Sequence, residues 1–330
     1  MEVKRRLIVV GLGSIGRRHA RLLKERPDVI VEVVESSPEA LSAAIDQFGP
    51  LTSYPKLEDA LATRPDFAWI ATPTSLHEPQ TIASLEAGCH VFCEKPMSDS
   101  LASARRMKEV ADGSRRLLNI GFHLHFWEGA VRMKRLLDSG ALGNVLHAHA
   151  RVGSYITLVN SQSRYQASCP GSLFLDYSHQ PDLFYWLFGA VPRHVRADAF
   201  QAGSLEFSSD PNVADILCRY DSALRTTIHL NYVQMPECHD YEIVGDEGWV
   251  HADMNAGRVT SGCRRTREVE TWEFAQDKDA MVRGEQQAFF DAVEGTRPPS
   301  TSAADGLVST AVCDAAIRSW RNQAIVNMEL

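Results

Sequence analysis

Short apolar runs alternate with helix-like segments between residues 7 and 121. The runs are "LIVVG", "VEVVE", "FAWIA", "HVFCE" and "LLNIG", and stretches with helical spacing such as "SIGRRHARLLKE" and "LHEPQTIASLEAG" separate them. A strand buried on both faces reads as a continuous apolar run, and alternation with helices is typical of right-handed crossovers in a parallel sheet. The pattern predicts an α/β domain with a doubly wound parallel sheet over residues 1–122.

The pattern changes after residue 122. The helix-like "GAVRMKRLLDSG" precedes segments in which apolar and polar residues alternate: "VLHAHARVGSY", "ADILCRY", "LRTTIHLNYV" and "YEIVGDEGWVHADM". Alternation predicts half-buried strands, and "GDEG" predicts a tight turn between two antiparallel strands. Two helices close the chain, and the first carries Val282, Gln286, Phe289, Phe290 and Val293 at helical spacing. We assign residues 123–330 to an α+β domain with a large, mainly antiparallel open sheet.

The composition is that of a globular protein without a nucleic-acid or membrane role. The chain has 330 residues, enough for two domains, and 44% of them are hydrophobic. A net charge of −8 argues against nucleic-acid binding, and no apolar run is long enough to span a bilayer. Seven cysteines without a CxxC pair indicate neither a disulfide framework nor a zinc ribbon. We interpret the basic, apolar N-terminus as structure and expect a cytoplasmic location.

The first apolar run leads into a glycine motif, "VVGLGSIGRRH", with Gly11, Gly13 and Gly16 at the spacing GxGxxG. In a Rossmann domain these glycines permit a tight turn, the approach of a pyrophosphate and close helix packing, and the helix N-terminus supplies amide hydrogens to the phosphates. Glu35 ends the second run nineteen residues after Gly16, where a carboxylate binds a ribose diol. No arginine follows in "ESSPEA" to accompany a 2′-phosphate, so the sequence predicts NAD rather than NADP.

Two further strand ends are polar: "ATPTSLH" at the end of the run "FAWIA" and "CEKP" at the end of the run "HVFCE". Ligands of open parallel sheets bind at the carboxyl ends of the strands, so we expect both segments beside the nicotinamide. The candidate cofactor-binding residues are Gly11, Gly13, Ser14, Ile15, Gly16, Glu35, Thr72, Pro73, His77, Glu94 and Lys95.

Seven segments in order resemble the Gfo/Idh/MocA oxidoreductases, the family of glucose-fructose oxidoreductase and inositol dehydrogenase. They are "GLGSIGRRH", "ATPTSLH", "GCHVFCEKPMSDS", "LLDSGALGNV", "LDYSHQPDLFYWLFG", "EIVGDEGWV" and "EQQAFFDAVEG". The resemblance implies that Lys95 of the EKP motif contacts the reacting hydroxyl and that Pro96 stiffens the turn that aims it. From the residues alone, a solvent-facing lysine is the alternative.

The resemblance also assigns catalytic roles within "LDYSHQPDLFYWLFG". It implies that His179 is the acid/base and that Asp176 contacts or orients the substrate; the two would share one helix face at a spacing of three. Many members have a spacing of four, so three marks a subfamily. Asp182 matches a further recurrent position, with either a structural or a substrate-binding role. Chemically, a histidine can move the hydroxyl proton in both directions, while Lys95 stabilises negative charge on oxygen.

Two histidine pairs could suggest a metal site. His123 and His125, like His147 and His149, are two residues apart and would face one side of an extended segment. No carboxylate or cysteine shares a ligand spacing with them, so we predict polar sheet positions and no metal.

Five residues are weaker candidates for the substrate pocket: His123, His125, Tyr165, Asp182 and His239, with Arg164 beside them. His125 replaces an arginine that many relatives carry, which suggests less need for a fixed positive charge. The segment "SYITLVNSQSRYQAS" lacks the tryptophan and histidine of the branch with "DLSHEID"-like strings, so the preference of that branch for nonulosonate-related sugars is not transferred.

These features predict an NAD-dependent dehydrogenase or reductase acting on a secondary hydroxyl or ketone of a sugar, sugar derivative or cyclitol. A homodimer or homotetramer formed through the open sheet is expected. Two alternatives are a redox-neutral, NAD-dependent glycosidase and an NAD-sensing regulator on the same fold. The regulator usually goes with loss of the lysine or histidine, and both Lys95 and His179 are present.

Overall fold

The computed structural model describes residues 4–159 and 171–330, which form two compact units. The first unit comprises Met1–His123 and Lys278–Thr310; the second comprises Leu124–Asp277 and Ala311–Leu330. Lys278–Thr310 thus groups with the N-terminal residues, and the division of roles between residues 1–122 and 123–330 stays a prediction.

The regular elements of the described residues are as follows. The strands are β1 (Arg5–Val10), β2 (Val29–Val34), β3 (Ser53–Tyr54), β4 (Phe67–Ile70), β5 (His90–Glu94), β6 (Leu118–Gly121), β7 (Val145–Gly153), β8 (His194–Phe200), β9 (Val213–Arg219), β10 (Arg225–Asn231), β11 (Cys238–Gly245), β12 (Gly248–Asp253), β13 (Arg258–Cys263), β14 (Val269–Glu273) and β15 (Val326–Asn327). The α-helices are α1 (Ser14–Leu23), α2 (Pro38–Phe48), α3 (Leu57–Leu61), α4 (His77–Glu86), α5 (Leu101–Ser114), α6 (Glu128–Asp138), α7 (Ile156–Val159), α8 (Ser172–Asp176), α9 (His179–Phe188), α10 (Lys278–Val293) and α11 (Ala303–Asn322). Two 3₁₀ helices span Thr74–Leu76 and His123–Phe126.

The first unit contains a parallel sheet with the strand order β3-β2-β1-β4-β5-β6. Every pair of neighbouring strands in it is parallel, which confirms the predicted doubly wound sheet. The order reverses between β1 and β4, and ligands of such sheets bind at the carboxyl ends of the strands beside this point.

Aromatic packing explains why α10 belongs to the first unit. Trp69 of β4 and Phe92 of β5 stack with ring centroids 4.3 Å apart, and Phe289 of α10 meets the Trp69 ring edge-on at 4.8 Å. Phe289 and Phe290 are fully buried in the same cluster. Burying each such ring contributes roughly 1.5–3 kcal/mol, so the apolar face of α10 is fixed to this sheet.

The second unit contains a sheet with the order β14-β13-β12-β11-β7-β10-β9-β8-β15. Only β10 and β7 pair in parallel among its described strands, which confirms the mainly antiparallel sheet. The "GDEG" segment links β11 to its antiparallel neighbour β12, as predicted.

The two faces of this second sheet differ in polarity. Along β7, Ala148, Ala150 and Val152 are buried, whereas His149 and Arg151 are exposed on the opposite face. Alternation of this kind leaves one face of an antiparallel sheet polar. In the described part of the chain, no helix combines the length and apolar character needed to cross a membrane.

Candidate functional site

The glycine loop follows β1 and is too crowded for side chains at two of its three glycines. Gly11 has a φ of +90°, and a Cβ there would lie 2.8 Å from Cγ2 of Thr72. A Cβ on Gly16 would lie 2.0 Å from the carbonyl oxygen of Gly11, closer than any non-bonded contact allows. Glycine is therefore required at both positions, by the turn at Gly11 and by helix packing at Gly16.

The remaining glycine leaves open space at the start of α1. Gly13 is exposed, and an added Cβ there would meet nothing within 4 Å. Ser14 and Ile15 begin the helix, which has no side-chain cap and no acidic residue in its first turn. The first amides of a helix lack intrahelical acceptors and carry partial positive charge. The loop therefore fits the pyrophosphate of a dinucleotide.

Glu35 follows β2 and is fixed beside the glycine loop. Its Oε2 accepts a hydrogen bond from the amide of Leu12 at 2.8 Å, and its Oε1 accepts one from the amide of Ser37 at 2.9 Å. Each carboxylate oxygen keeps a further lone pair for a ribose hydroxyl. The structure thus places a carboxylate next to the turn, as the spacing from Gly16 predicts.

His77 ties together the two polar strand ends. Its Nε2 lies 2.9 Å from the carbonyl oxygen of Thr72, and its Nδ1 lies 2.8 Å from that of Pro96. A carbonyl can only accept, so both ring nitrogens carry protons and the imidazole is charged. Burial lowers the pKa of His77, but interactions with Cys93 and the two carbonyls outweigh it and raise the pKa to about 9. Pro73, by contrast, is exposed and precedes the 3₁₀ helix Thr74–Leu76.

Glu94 is the last residue of β5 and is held by α1. His19 Nε2 lies 2.7 Å from Glu94 Oε1, and Gln286 of α10 donates to His19 Nδ1 at 3.0 Å. The backbone amide of Lys95 also donates to Glu94, at 3.2 Å. Burial pushes the pKa of Glu94 up, but the bond to His19 and nearby positive charges outweigh it, and the net pKa is lowered. Half-buried Lys95 therefore follows a carboxylate that is fixed and ionised.

A second carboxyl group lies behind this strand end. Glu285 of α10 is 1% exposed, and its Oε1 lies 3.8 Å from His19 Nε2. Burial and the charge of Glu94 raise the pKa of Glu285 well above its ordinary value, which favours the neutral carboxyl group. We did not predict a role for His19 or Glu285. The sequence feature that could have indicated a role is the pair of adjacent polar residues at 285 and 286, in a helix face that is otherwise apolar.

In the second unit, Asp176 and His179 lie on two short helices. Asp176 ends α8 and His179 begins α9, with Tyr177 and Ser178 between them. The two residues therefore do not share one continuous helix, on which a spacing of three would have placed them on the same face. Asp176 accepts a hydrogen bond from the buried hydroxyl of Tyr232 at 2.9 Å, and His179 is 9% exposed.

Asp182 forms a buried pair with His125. Asp182 Oδ2 lies 2.8 Å from His125 Nε2, with the two side chains 1% and 5% exposed. The imidazole also stacks on Trp186, with ring centroids 4.7 Å apart. His123 and His125 lie in the 3₁₀ helix His123–Phe126, so they are not on an extended strand. The contacts of Asp182 are those of a residue that organises the start of α9.

His239 belongs to a hydrogen-bonded group on β11. Gln180 Nε2 donates to the Tyr241 hydroxyl at 3.2 Å, and that hydroxyl lies 2.8 Å from His239 Nε2. The structure therefore joins His239 to α9 through Gln180 and Tyr241, two residues that we did not predict. Arg164 and Tyr165, the other pocket candidates, lie outside the described residues.

Two family models match the chain. Residues 5–122 match "Oxidoreductase family, NAD-binding Rossmann fold" and residues 130–251 match "GFO/IDH/MocA C-terminal domain". The matches confirm the predicted family resemblance and the NAD cofactor, and hence an oxidoreductase.

Relatives of similar length support the same assignment. The chain is 29% identical to inositol 2-dehydrogenase of Acidothermus cellulolyticus, over 97% of this chain and 94% of that one. It is 27% identical to inositol 2-dehydrogenase/D-chiro-inositol 3-dehydrogenase of Shouchella clausii, over 98% and 94%. A crystal structure of scyllo-inositol dehydrogenase from Lactobacillus casei, with bound NAD(H) and scyllo-inositol, has a TM-score of 0.84 at 20% identity and covers 98% of this chain and 99% of that one. This likeness confirms the fold.

Proposed function

The chain belongs to the Gfo/Idh/MocA family of NAD-binding oxidoreductases, and on that basis we propose that it transfers hydride between NAD and a secondary hydroxyl of a cyclitol or sugar. The observation that carries the proposal is the similarity to inositol 2-dehydrogenases over 97% of the chain, with Lys95 and His179 both in place. Bound NAD would supply the hydride acceptor. The residues of the chain bind it, orient the polyol and move the hydroxyl proton.

The first unit binds the cofactor. The open amides after Gly13 receive the pyrophosphate, and the fixed carboxylate of Glu35 accepts hydrogen bonds from the ribose diol. A 2′-phosphate there would face the negative charge of Glu35, which favours NAD over NADP. Thr72 and Pro73, at the neighbouring strand end, lie beside the nicotinamide.

Lys95 stabilises the negative charge that develops on the substrate oxygen. It comes directly after Glu94, whose carboxylate is fixed by His19 and by the Lys95 amide. A fixed backbone at this strand end lets the ammonium act without reorganisation, which makes electrostatic stabilisation effective.

His179 accepts the hydroxyl proton during oxidation and returns it during reduction. It is the first residue of α9 and is 9% exposed, and an imidazole can move a proton in both directions. Asp176, fixed by the Tyr232 hydroxyl, orients the substrate or the imidazole.

The test is NADH formation with a panel of inositols, aldoses, glycosides and uronates, with NAD and NADP in parallel. Turnover of one polyol class with NAD is expected. Glu35→Ala should weaken NAD more than NADP, and Glu39→Ala, an exposed carboxylate on α2, is the control. Bound NAD without turnover of any polyol would contradict the dehydrogenase and favour a redox-neutral hydrolase or a sensor.

We further propose that two or four copies pair through the polar face of the second sheet and that the enzyme acts in the cytoplasm. The open face of a large sheet is a self-complementary surface for a twofold axis. Light scattering that gives the mass of a single chain at micromolar concentration would contradict the pairing.

A further inference from the structure

Three potential metal ligands meet on the polar face of the second sheet, the face proposed above to pair copies of the chain, and none of them has a role in cofactor or substrate binding. They are His147 and His149 of β7 and Glu242 of β11. The spacing of the two histidines alone predicts only polar sheet positions. The fold adds a carboxylate from a strand that begins about ninety residues further along the chain.

The strand register brings the three side chains together. His147 and His149 are two apart on one strand, so they project from the same face, and Glu242 is the direct cross-strand partner of His149. One ligand atom from each of the three residues lies within 4.8 Å of the others. A tetrahedral zinc ion with bonds of about 2.0–2.1 Å needs separations of about 3.3 Å, so the ligand atoms would move together by up to about 1.5 Å when the ion binds.

The hydrogen bonding of the two imidazoles leaves a ring nitrogen of each for a metal ion. The hydroxyl of Thr227 on β10, the strand on the other side of β7, contacts Nδ1 of His149 and so leaves Nε2 of that ring for a ligand. Nδ1 of His147 is buried and has no hydrogen-bond partner among the described residues.

Basic side chains at neighbouring positions of this face have carboxylate or carbonyl partners of their own. Arg225, the cross-strand neighbour of His147, donates to the backbone carbonyls of Ser222 and Leu224. Arg151 donates to Asp240 at 2.9 Å. His251 of β12 is the cross-strand partner of Glu242, and its Nε2 lies 3.9 Å from Asp240 Oδ1.

We propose that His147, His149 and Glu242 form a binding site for a divalent transition-metal ion, with zinc as the best fit. Two imidazoles and one carboxylate are a donor set that zinc accepts, and hard cations such as Mg²⁺ prefer oxygen ligands. Water completes the fourth position. The ion joins β7 to β11 and stabilises the second unit.

The test uses the full chain without a histidine tag, stripped with a chelator and dialysed against zinc. We expect one zinc per chain by elemental analysis, and His149→Ala or Glu242→Gln should weaken binding at least about 10-fold. His229→Ala is the matched control, because His229 lies on the same face but bonds to Asp215 at 2.8 Å. Zinc should also raise the melting temperature of the wild-type chain and of His229→Ala more than that of His149→Ala.

Three results would overturn the site. One is the absence of stoichiometric zinc in the wild-type chain. Another is full zinc binding by the double variant His147→Ala, His149→Ala, which would place the ion elsewhere, for example at Cys263. The third is an equal loss of binding in His229→Ala. A cobalt(II) absorption spectrum typical of tetrahedral coordination, present in the wild type and lost in the double variant, checks the ligand geometry.

Discussion

In the first unit the candidate residues follow successive strands of one parallel sheet, whereas in the second unit Asp176 and Asp182 lie on helices and are fixed by side chains from other elements. Glu35 is held by amides of its own loop and of the adjacent glycine turn. Asp176 is instead held by a hydroxyl 56 residues away, and Asp182 by an imidazole 57 residues away. The positions of the cofactor-binding candidates thus follow from the strand order of the sheet. Those of Asp176 and Asp182 depend on hydrogen bonds to side chains elsewhere in the fold.

The largest expected effect is a loss of turnover without a loss of NAD binding. Lys95→Ala and His179→Ala should each lower turnover on the order of 10³-fold, because each removes a group that acts on the substrate oxygen. The NAD dissociation constant, measured by fluorescence titration, should stay nearly unchanged. Lys108→Ala, which removes an exposed lysine bonded to Asp112, is the control. Loss of NAD binding in both variants would contradict this division of labour.

The buried pair of the second unit should control stability. Asp182→Ala should lower the free energy of unfolding by about 3–5 kcal/mol, because it leaves His125 buried without its carboxylate. Denaturant titration measures the loss. Asp221→Ala breaks an exposed pair with Arg193 in the same unit and should cost far less. Equal losses would show that the His125–Asp182 pair contributes no more than a surface pair.

Substitutions at two glycines of the first unit distinguish an effect on folding from an effect on cofactor binding. Gly16→Ala should lower the free energy of unfolding by about 1–3 kcal/mol, because its Cβ meets the Gly11 carbonyl. Gly13→Ala should leave stability nearly unchanged but weaken NAD binding at least about 10-fold, since the methyl group enters the space left for the pyrophosphate. Unaltered NAD binding in Gly13→Ala would contradict the proposed position of the cofactor.

The smallest effect concerns the pH dependence of stability. The pKa of Glu285 is raised in the folded chain, so folding takes up a proton and stability falls as pH rises above about 4.3 toward the folded pKa. Glu285→Gln removes this loss. Relative to wild type, the variant should gain up to about 1.4 kcal/mol in unfolding titrations between pH 5 and pH 6. Glu86→Gln, at an exposed position of α4, should show no such gain. A difference in unfolding free energy between Glu285→Gln and wild type that does not change with pH would mean that Glu285 is ionised.

The sequence predicted the parts of the molecule that local patterns determine. Apolar runs predicted the parallel sheet. Glu35, predicted to bind the ribose, lies beside the glycine turn and accepts a hydrogen bond from the amide of Leu12, while its role stays a prediction. The assignment of α10 could not be predicted, because only tertiary packing of Phe289 against Trp69 decides it. The same holds for His19 with Glu94, which are 75 residues apart, and for the break between Asp176 and His179. The catalytic roles of Lys95 and His179 remain predictions.

The most direct test of hydride transfer is mass spectrometry of the nicotinamide product. The protein would be incubated with NAD and with the polyol that supports turnover, carrying deuterium at the carbon that is oxidised. A dehydrogenase with His179 as its acid/base would form NADH that contains one deuterium from the substrate, and His179→Ala would form no such product. NADH without deuterium, or deuterium that returns to the sugar with no net NADH, would contradict a dehydrogenase.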